Sequence, residues 1–240
     1  MANVSVAMAV YNGSEFLNEQ IGSIVNQLSD NDELIISDNC STDDSRDIIL
    51  SYSKLYPNIK FCECNEMGII PNFENAILHC TGNYILLADQ DDVWKENKVE
   101  RVLEEFKDTD ADLILHDCEY VDENLNSLNK TLFKTMQPTE RFKKHLWKNI
   151  YQGCCLAFKR EMVSIICPIP RDILIHDQWI GLLAEKSGEI SFLKECLILH
   201  RKHKGSNSTR RDPLFKRYKN VRLLRKRIEE RLDQSMKIEQ

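Results

Sequence analysis

The chain has 240 residues, 42% of them apolar, and a formal net charge of −6. That length suits one large α/β domain, or one domain with an appendage, built on a full hydrophobic core. No apolar run approaches the ~20 residues that span a bilayer, and the start, Met1-Ala2-Asn3-Val4-Ser5-Val6, lacks the basic stretch of a signal peptide. The nine cysteines include no CxxC pair, which disfavours a zinc site and points to reduced thiols in a cytoplasmic protein. The charge is uneven. Residues 1–200 hold 18 basic against 33 acidic side chains, a balance of −15, whereas residues 201–231 hold 13 against 3, a balance of +10. The basic tail is a separate electrostatic object.

In chain order, Val4 to Val10 is an unbroken small-apolar run, as in a strand buried on both faces. Tyr11-Asn12-Gly13 turns the chain, and Ser14 is a candidate helix cap. Phe16, Leu17, Ile21, Ile24, Val25 and Leu28 recur at helical spacing. A second strand is predicted over Asp32 to Ser37, then a polar loop from Asp38 to Asp43. Ile48, Ile49, Tyr52 and Leu55 mark a helix that stops before Pro57. Ile59 to Cys64 reads as a strand. A helix after Pro71 carries Phe73, Ala76, Ile77 and Cys80 and should end near Gly82. Tyr84 to Ala88 is the fourth strand. Beyond it the pattern predicts a helix from Lys95 to Phe106, strands over Asp112 to His116, Tyr151 to Phe158 and Leu197 to Leu199, and a helix from Asp177 to Lys186. The segment Glu119 to Gln152 gives no clear reading. Strands alternating with helices of 10–15 residues mean a doubly wound, mostly parallel sheet.

The densest chemistry is Asp89-Gln90-Asp91-Asp92 at the end of the Tyr84 strand. Ligands of open α/β sheets bind outside the carboxyl ends of the strands. Carboxylates this close repel one another, so something positive must join them. Hard oxygen donors suit Mg²⁺ or Mn²⁺. An acidic solvated turn is the bland alternative. Two other loops, Tyr11-Asn12-Gly13 and Asp38 to Asp43, should share this edge of the sheet. Neither holds GxGxxG or GxxxxGK[ST], which disfavours a dinucleotide site and a P-loop.

These segments together resemble family 2 glycosyltransferases, inverting enzymes of GT-A fold, the Rossmann-like fold of nucleotide-diphospho-sugar transferases. The likeness rests on Val4 to Gly13, Ile35 to Asp43, Asn65-Glu66-Met67-Gly68, Asn72 and Asp89 to Asp92. Asp-Gln-Asp-Asp-Val-Trp at residues 89–94, His176-Asp177-Gln178-Trp179 and Arg201-Lys202-His203 resemble bacterial rhamnosyltransferase-like members. It covers about residues 3–208, and implies a domain over 1–208 whose nucleotide-sugar half is 1–117 and acceptor half 118–208, followed by a basic helical tail over 209–240.

The resemblance implies that Val10, Tyr11, Asn12, Asp38, Asn65, Asn72, Asp89 and Gln90 bind the nucleotide sugar, with Asp38 on the base or ribose and Asp89 on the ribose or sugar. It assigns Asp91 to the cation, with His203 as a further ligand and His200 as a weaker candidate, and makes Asp177 the general base. Asp92 would support the metal ligands. Many relatives carry a second Asp where this chain has Asn39, an acceptor without charge. His176 and Trp179 are acceptor candidates. His176 reads equally as an exposed loop histidine or as a group tuning Asp177, and Trp94 and Trp179 read more readily as core. The chemistry suits these residue types. A hydroxyl attacking the anomeric carbon must lose its proton to a base, and a cation offsets charge on the departing diphosphate. Asp177 could instead cap its helix.

The implied donor is a deoxythymidine diphosphate rhamnose or a uridine diphosphate hexose, and the acceptor a saccharide or lipid-linked hydroxyl in bacterial surface polysaccharide synthesis. Two other classes stay open on sequence grounds: a non-catalytic nucleotide-sugar-binding module, and a haloacid-dehalogenase-type phosphatase, whose nucleophile loop would normally follow a first strand. In the tail, Leu214, Tyr218, Val221, Leu224, Ile228 and Leu232 fall on one helical face and Lys216, Arg217, Lys219, Arg222, Arg225, Lys226 and Arg227 on the other. Such an amphipathic helix could pack on the domain, form a homodimer through 214–232, or lie on anionic lipid as a peripheral element at the inner membrane face. Nothing points to nucleic acid.

Overall fold

A computed structural model describes residues 3–139, 142–203 and 214–238. The expected boundary at 208/209 falls within 204–213, outside the described residues. Strands β1 (Val4–Val10), β2 (Glu33–Asp38), β3 (Ile59–Glu63) and β4 (Tyr84–Ala88) pair in parallel in the order β3-β2-β1-β4. β1 and β2 are buried along almost their whole length, as their apolar runs require between two layers of helices. Helices α1 (Ser14–Val25), α2 (Ser45–Leu55) and α3 (Ile69–His79) connect them. Because the four strands run the same way, the loops after Val10, Asp38 and Ala88 emerge at one edge.

The helix ends differ from the sequence reading for local reasons. Ser14 does not cap α1. The cap position is Gly13, and the free backbone N–H groups are taken by the next loop, Gly13 N–H donating to Ser45 Oγ at 2.8 Å and Ser14 N–H to Asp43 Oδ2 at 3.0 Å. α3 begins at Ile69, so Pro71 sits in its first turn, where no backbone donor is needed. It ends before Gly82, whose place is dictated by close approach: a Cβ there would lie 2.7 Å from the Ser5 nitrogen.

The second half continues the same sheet. Among the described residues it has nine strands, and β4 is followed across it by β8 (Leu156–Lys159), β6 (Leu113–Val121), β9 (Ile190–Arg201) and β5 (Val93–Trp94), with β7 (Ser127–Thr131) hairpinned to β6. β8 is antiparallel to both neighbours, whereas β6 and β9 are parallel. The unread segment contains β7, α5 (Leu132–Met136) and α6 (Phe142–Trp147). Helix α4 (Lys98–Thr109) starts three residues later than expected because Val93–Trp94 pairs with β9. The strand expected from Tyr151 begins only at Leu156, after a 3₁₀ turn over Gly153–Cys155. α7 (Val163–Ile166) and α8 (His176–Ser187) complete the domain.

The tail is one helix, α9 (Leu214–Ile238), packed against α6, α7 and α8. Leu224 and Ile228 are buried and Val221 and Leu232 join the core, whereas Tyr218 is half exposed. Arg227 pairs with Asp172 at 2.6 Å, and Arg231 donates to the carbonyls of Ile165 and Pro168. The apolar stripe is thus an internal packing face. Among the described residues no helix is long and apolar enough to cross a membrane. Ile228→Ala should cost about 2–5 kcal/mol and lower the melting temperature on the order of 10 °C. Lys219→Ala, on the exposed face, should leave it unchanged. Equal melting temperatures for the two variants would refute the packing.

Candidate active site

The three loops of the parallel edge are stitched together by side chains. Gln90 brackets Tyr11, accepting its N–H at 2.7 Å and donating to its carbonyl at 3.1 Å. Gly13 makes that approach possible, since a Cβ would sit 2.6 Å from the Gln90 amide. Asn12 takes the left-handed backbone that Asn tolerates (φ 48°), donates its N–H to Ser41 Oγ at 2.9 Å and accepts from Thr42 N–H at 2.8 Å. Asp38 is buried and accepts from the backbone and hydroxyl of Ser41 at 3.1 and 2.5 Å. Asn72 is buried and donates to the Val10 carbonyl at 2.9 Å, so it positions the loop, while Asn65, after β3, is exposed.

The acid cluster finds its positive partners at the end of β9 and just beyond it, more than 100 residues away. His203 Nε2 lies 2.7 Å from Asp91 Oδ2, and both side chains are 17% exposed. His200 Nδ1 lies 2.8 Å from Asp92 Oδ1, which also accepts the Arg201 N–H at 3.1 Å. Arg201 Nε donates to the Asp91 carbonyl at 2.9 Å and its guanidinium pairs with Glu19 on α1. Burial pushes Asp89 up to about 7, reinforced by the charges of Asp92 and Asp91. Burial and Asp92 likewise raise Asp91, against the pull of His203. Burial alone would raise Asp92 too, but His200 together with the Cys154 thiol and the Arg201 N–H holds that carboxyl low. Asp89, Asp92, Cys154 and His200 each offer a donor atom within 4.8 Å of the others. Carboxylate and imidazole groups converge here from two ends of the chain, and such a donor set fits a divalent cation.

Asp177 stands in the first turn of α8, where Ile175 holds the cap position. Its Oδ1 accepts from the Gln178 N–H at 2.5 Å and from Asn149 Nδ2 at 2.9 Å, and the Gly153 backbone also donates to the carboxylate. Burial nevertheless pushes it up to about 7. The 3₁₀ turn links it to the acid cluster, since Gly153 donates to Asp177 while the adjacent Cys154 offers a donor atom within 4.8 Å of Asp89.

A model of the glycosyl transferase family 2 matches residues 5–166, well over half the chain. The protein belongs to this family. An uncharacterized glycosyltransferase of Nostoc is 27% identical over 85% of this chain and 66% of its own length. The dTDP-rhamnosyl transferase RfbG of Shigella flexneri is 23% identical over 91% of this chain and 79% of its own. A putative teichuronic acid biosynthesis glycosyltransferase of Bacillus subtilis is matched over 40% of its length, so the chain spans only part of several relatives. Among solved structures, Staphylococcus aureus TarS with UDP-GlcNAc superposes with a TM-score of 0.74 at 18% identity, over 93% of this chain and 65% of that one. A mannosyltransferase of Pyrobaculum calidifontis, in complex with GDP-Man and Mn²⁺, gives 0.64 at 16% identity, over 85% of this chain and 58% of that one. These likenesses establish the GT-A fold.

Within this glycosyltransferase some residues have duties that the sequence did not signal. Asn39 donates to the carbonyls of Cys64 and Glu66 at 2.8 and 2.9 Å and accepts the Gly68 N–H at 2.8 Å. An Asp could not make the two donor bonds. The acceptor candidates His176 and Trp179 are both interior. His176 stacks on Phe73 at 3.9 Å with neither ring nitrogen bonded, and burial drives it down to about 3, so it is neutral and no exposed loop residue. Trp179 is fully buried with its indole N–H on the Ile166 carbonyl at 3.0 Å, so its ring offers no face to a sugar. Trp94 is also core, beneath the Lys98 ammonium at 3.9 Å. Asn149, Gly153, Cys154 and Lys98 went unread, because nothing in their local pattern marks them. Gly153 has a steric reason: a Cβ would lie 2.9 Å from His176 Nε2.

The raised Asp177 carboxyl has a signed consequence. If Asp177 is the base that the resemblance implies, it must be ionised to act, and turnover at saturating donor should rise with pH through about 7. Native Asp177 binds its proton more tightly than the unfolded chain, so it costs stability as pH rises from about 4 to 7. Asp177→Asn should therefore lose ~10²–10⁴-fold in kcat while melting at pH 8 no lower than wild type. A variant that keeps turnover within about tenfold and melts markedly lower would make Asp177 a helix-stabilising residue instead of a base.

Proposed function

We propose that this chain is a metal-dependent inverting glycosyltransferase that moves a sugar from dTDP-rhamnose or a UDP-hexose to a hydroxyl of a saccharide or lipid-linked acceptor in bacterial surface polysaccharide synthesis. The observation that carries the reading is that one turn touches two separate acid sites. Asp91 stands at the end of β4 beside His203, Cys154 offers a donor atom within 4.8 Å of Asp89 and Asp92, and the adjacent Gly153 donates to Asp177 on α8. The donor classes are supported by what relatives are named for, a dTDP-rhamnosyl transferase and a poly(ribitol-phosphate) beta-glucosyltransferase, and by the UDP-GlcNAc bound to TarS.

Residues 1–117 then form the donor half and 118–208 the acceptor half. Val10, Tyr11, Asn12 and Asp38 face the nucleoside, Asn65 and Asn72 lie on or behind that wall, and Asp89 with Gln90 holds the ribose or sugar. Asp91 and His203 would hold Mn²⁺ or Mg²⁺, which would supply positive charge to offset the departing diphosphate. Asp177 takes the acceptor proton as the acceptor oxygen bonds to the anomeric carbon from the face opposite the phosphate. The bond to the phosphate oxygen breaks as a single displacement, which inverts the configuration. Asn149 and the Gly153 N–H keep the carboxylate aimed.

Incubation with a panel of nucleotide sugars in Mn²⁺ or Mg²⁺ should release nucleoside diphosphate from one donor class, and NMR should show an inverted product. Asp91→Ala should abolish release with the fold intact. Full activity of that variant, or in excess chelator, would remove the metal from the mechanism, and donor binding without any turnover would make the chain a binding module.

The exposed side of α9 carries Lys219, Arg222, Arg225 and Lys226, of which the last two pair in part with Glu229 and Glu230. This face supports a peripheral contact with an anionic membrane, each basic residue contributing roughly 1 kcal/mol in low salt. The full chain should sediment with anionic vesicles and be released as salt rises. No sedimentation at low salt would exclude the membrane contact.

A further inference from the structure

Behind the Asp91–His203 pair lies a second cluster of different chemistry. Cys154 Sγ is 3.6 Å from His200 Nδ1, and that nitrogen is 2.8 Å from Asp92 Oδ1. Cys154 and Asp92 are fully buried and His200 is 5% exposed. The other Asp92 oxygen, Oδ2, is buried without a hydrogen-bond partner. A buried carboxylate oxygen is normally satisfied, and the Cys154 thiol that helps hold the Asp92 carboxyl low belongs to this same cluster. Asp89, partly exposed, closes the fourth side, and the four donor atoms lie within 4.8 Å of one another.

We propose that Cys154, His200 and Asp92, with Asp89 at the mouth, form a second divalent-cation site that takes a soft cation, Zn²⁺ above all. A thiolate, an imidazole and two carboxylates are the donors that Zn²⁺ accepts, and sulfur selects against Mg²⁺. Bonds of ~2.0–2.3 Å in a tetrahedron place donors roughly 3.3–3.8 Å apart, so the cluster must contract by on the order of 1 Å. The charges close. Zn²⁺ with one thiolate and two carboxylates leaves −1, and buried Lys98 supplies +1, its ammonium already fixed 2.9 Å from the Cys154 carbonyl. The outer position of His200 is also prepared. Its Nε2 lies 3.4 Å from the Gln152 amide, which can rotate to accept an N–H once Nδ1 is ligated. The Lys202 ammonium at 3.0 Å then turns toward solvent.

The site has a consequence that rests on the proposed role of Asp89 in donor binding. Asp89 cannot serve both sites, so Zn²⁺ held inside withholds it from the donor and inhibits transfer. The outer cation on Asp91 and His203 is untouched by this competition.

Titration of the reduced full-length protein with Co²⁺ under nitrogen tests the site without reference to activity. One Co²⁺ per chain should give thiolate-to-cobalt charge-transfer absorption, bleached by one equivalent of Zn²⁺. Cys154→Ser should lose that absorption and weaken Zn²⁺ binding by more than the ~10–100-fold typical of an outer-sphere residue, with an unchanged melting temperature. Asp91→Ala should keep the absorption. No charge-transfer band in the wild type, a band that survives Cys154→Ser, or a band lost with Asp91→Ala would each overturn the proposal. If the band behaves as expected but no nucleotide sugar is turned over, the inner site stands and the transferase reading falls instead.

Discussion

Four acidic and cationic side chains, Asp91, Asp92, His200 and His203, hold the two ends of this fold together. Carboxylates crowded at the end of β4 cannot all remain ionised in a partly buried setting. The chain answers with His200, Arg201 and His203 from the end of β9, and the two-residue strand β5 exists because Val93 and Trp94 must reach Leu199 and Ile198 to bring these groups into register. Removing one partner of a buried pair such as His200–Asp92 typically costs ~3–5 kcal/mol, so the arrangement constrains both the first half of the sheet and the last strand.

The second acid site depends on a different compromise. A continuous strand through Tyr151 to Phe158 would have used the Gly153 and Cys154 backbone for sheet pairing. The 3₁₀ turn frees the Gly153 N–H for Asp177 and the Cys154 carbonyl for Lys98. Only a residue without a Cβ fits at 153, because the His176 ring occupies that volume. The carboxylate of Asp177 is thereby held in a dry, well-bonded setting that keeps its proton affinity close to neutrality. The same packing costs stability whenever the group ionises.

Charge separation along the chain takes on a structural meaning as well. The basic tail carries one arginine row inward, where Arg227 and Arg231 bond to Asp172 and to main-chain carbonyls. A second basic row faces solvent. The apolar stripe between them packs on α6, α7 and α8 through Val221, Leu224, Ile228 and Leu232, while Phe215 and Tyr218 near the start of α9 stay exposed beside the basic row.

Local pattern determined a great deal. Buried parallel strands read as continuous Val, Ile and Leu runs, so β1 to β4, their helices and the three loops at one sheet edge were legible, as was the resemblance carried by Asp38, Asp89, Asp91 and Asp177. The helical tail was also legible, because its period of apolar residues is local. What the pattern could not show was any partnership between distant residues. Asn39 as a three-bond clamp, Lys98 buried over the Trp94 ring, Cys154 beside His200, and the interior position of His176 depend on which surfaces meet after the chain has folded. The segment from Glu119 to Gln152 was unreadable for the same reason: its elements are short, lack a sustained period, and take their shape from the hairpin with β6 and from packing against α8 and α9. Periodicity is fixed by neighbours in sequence, whereas burial and proton affinity are set by neighbours in space, and only the tertiary structure brings those together.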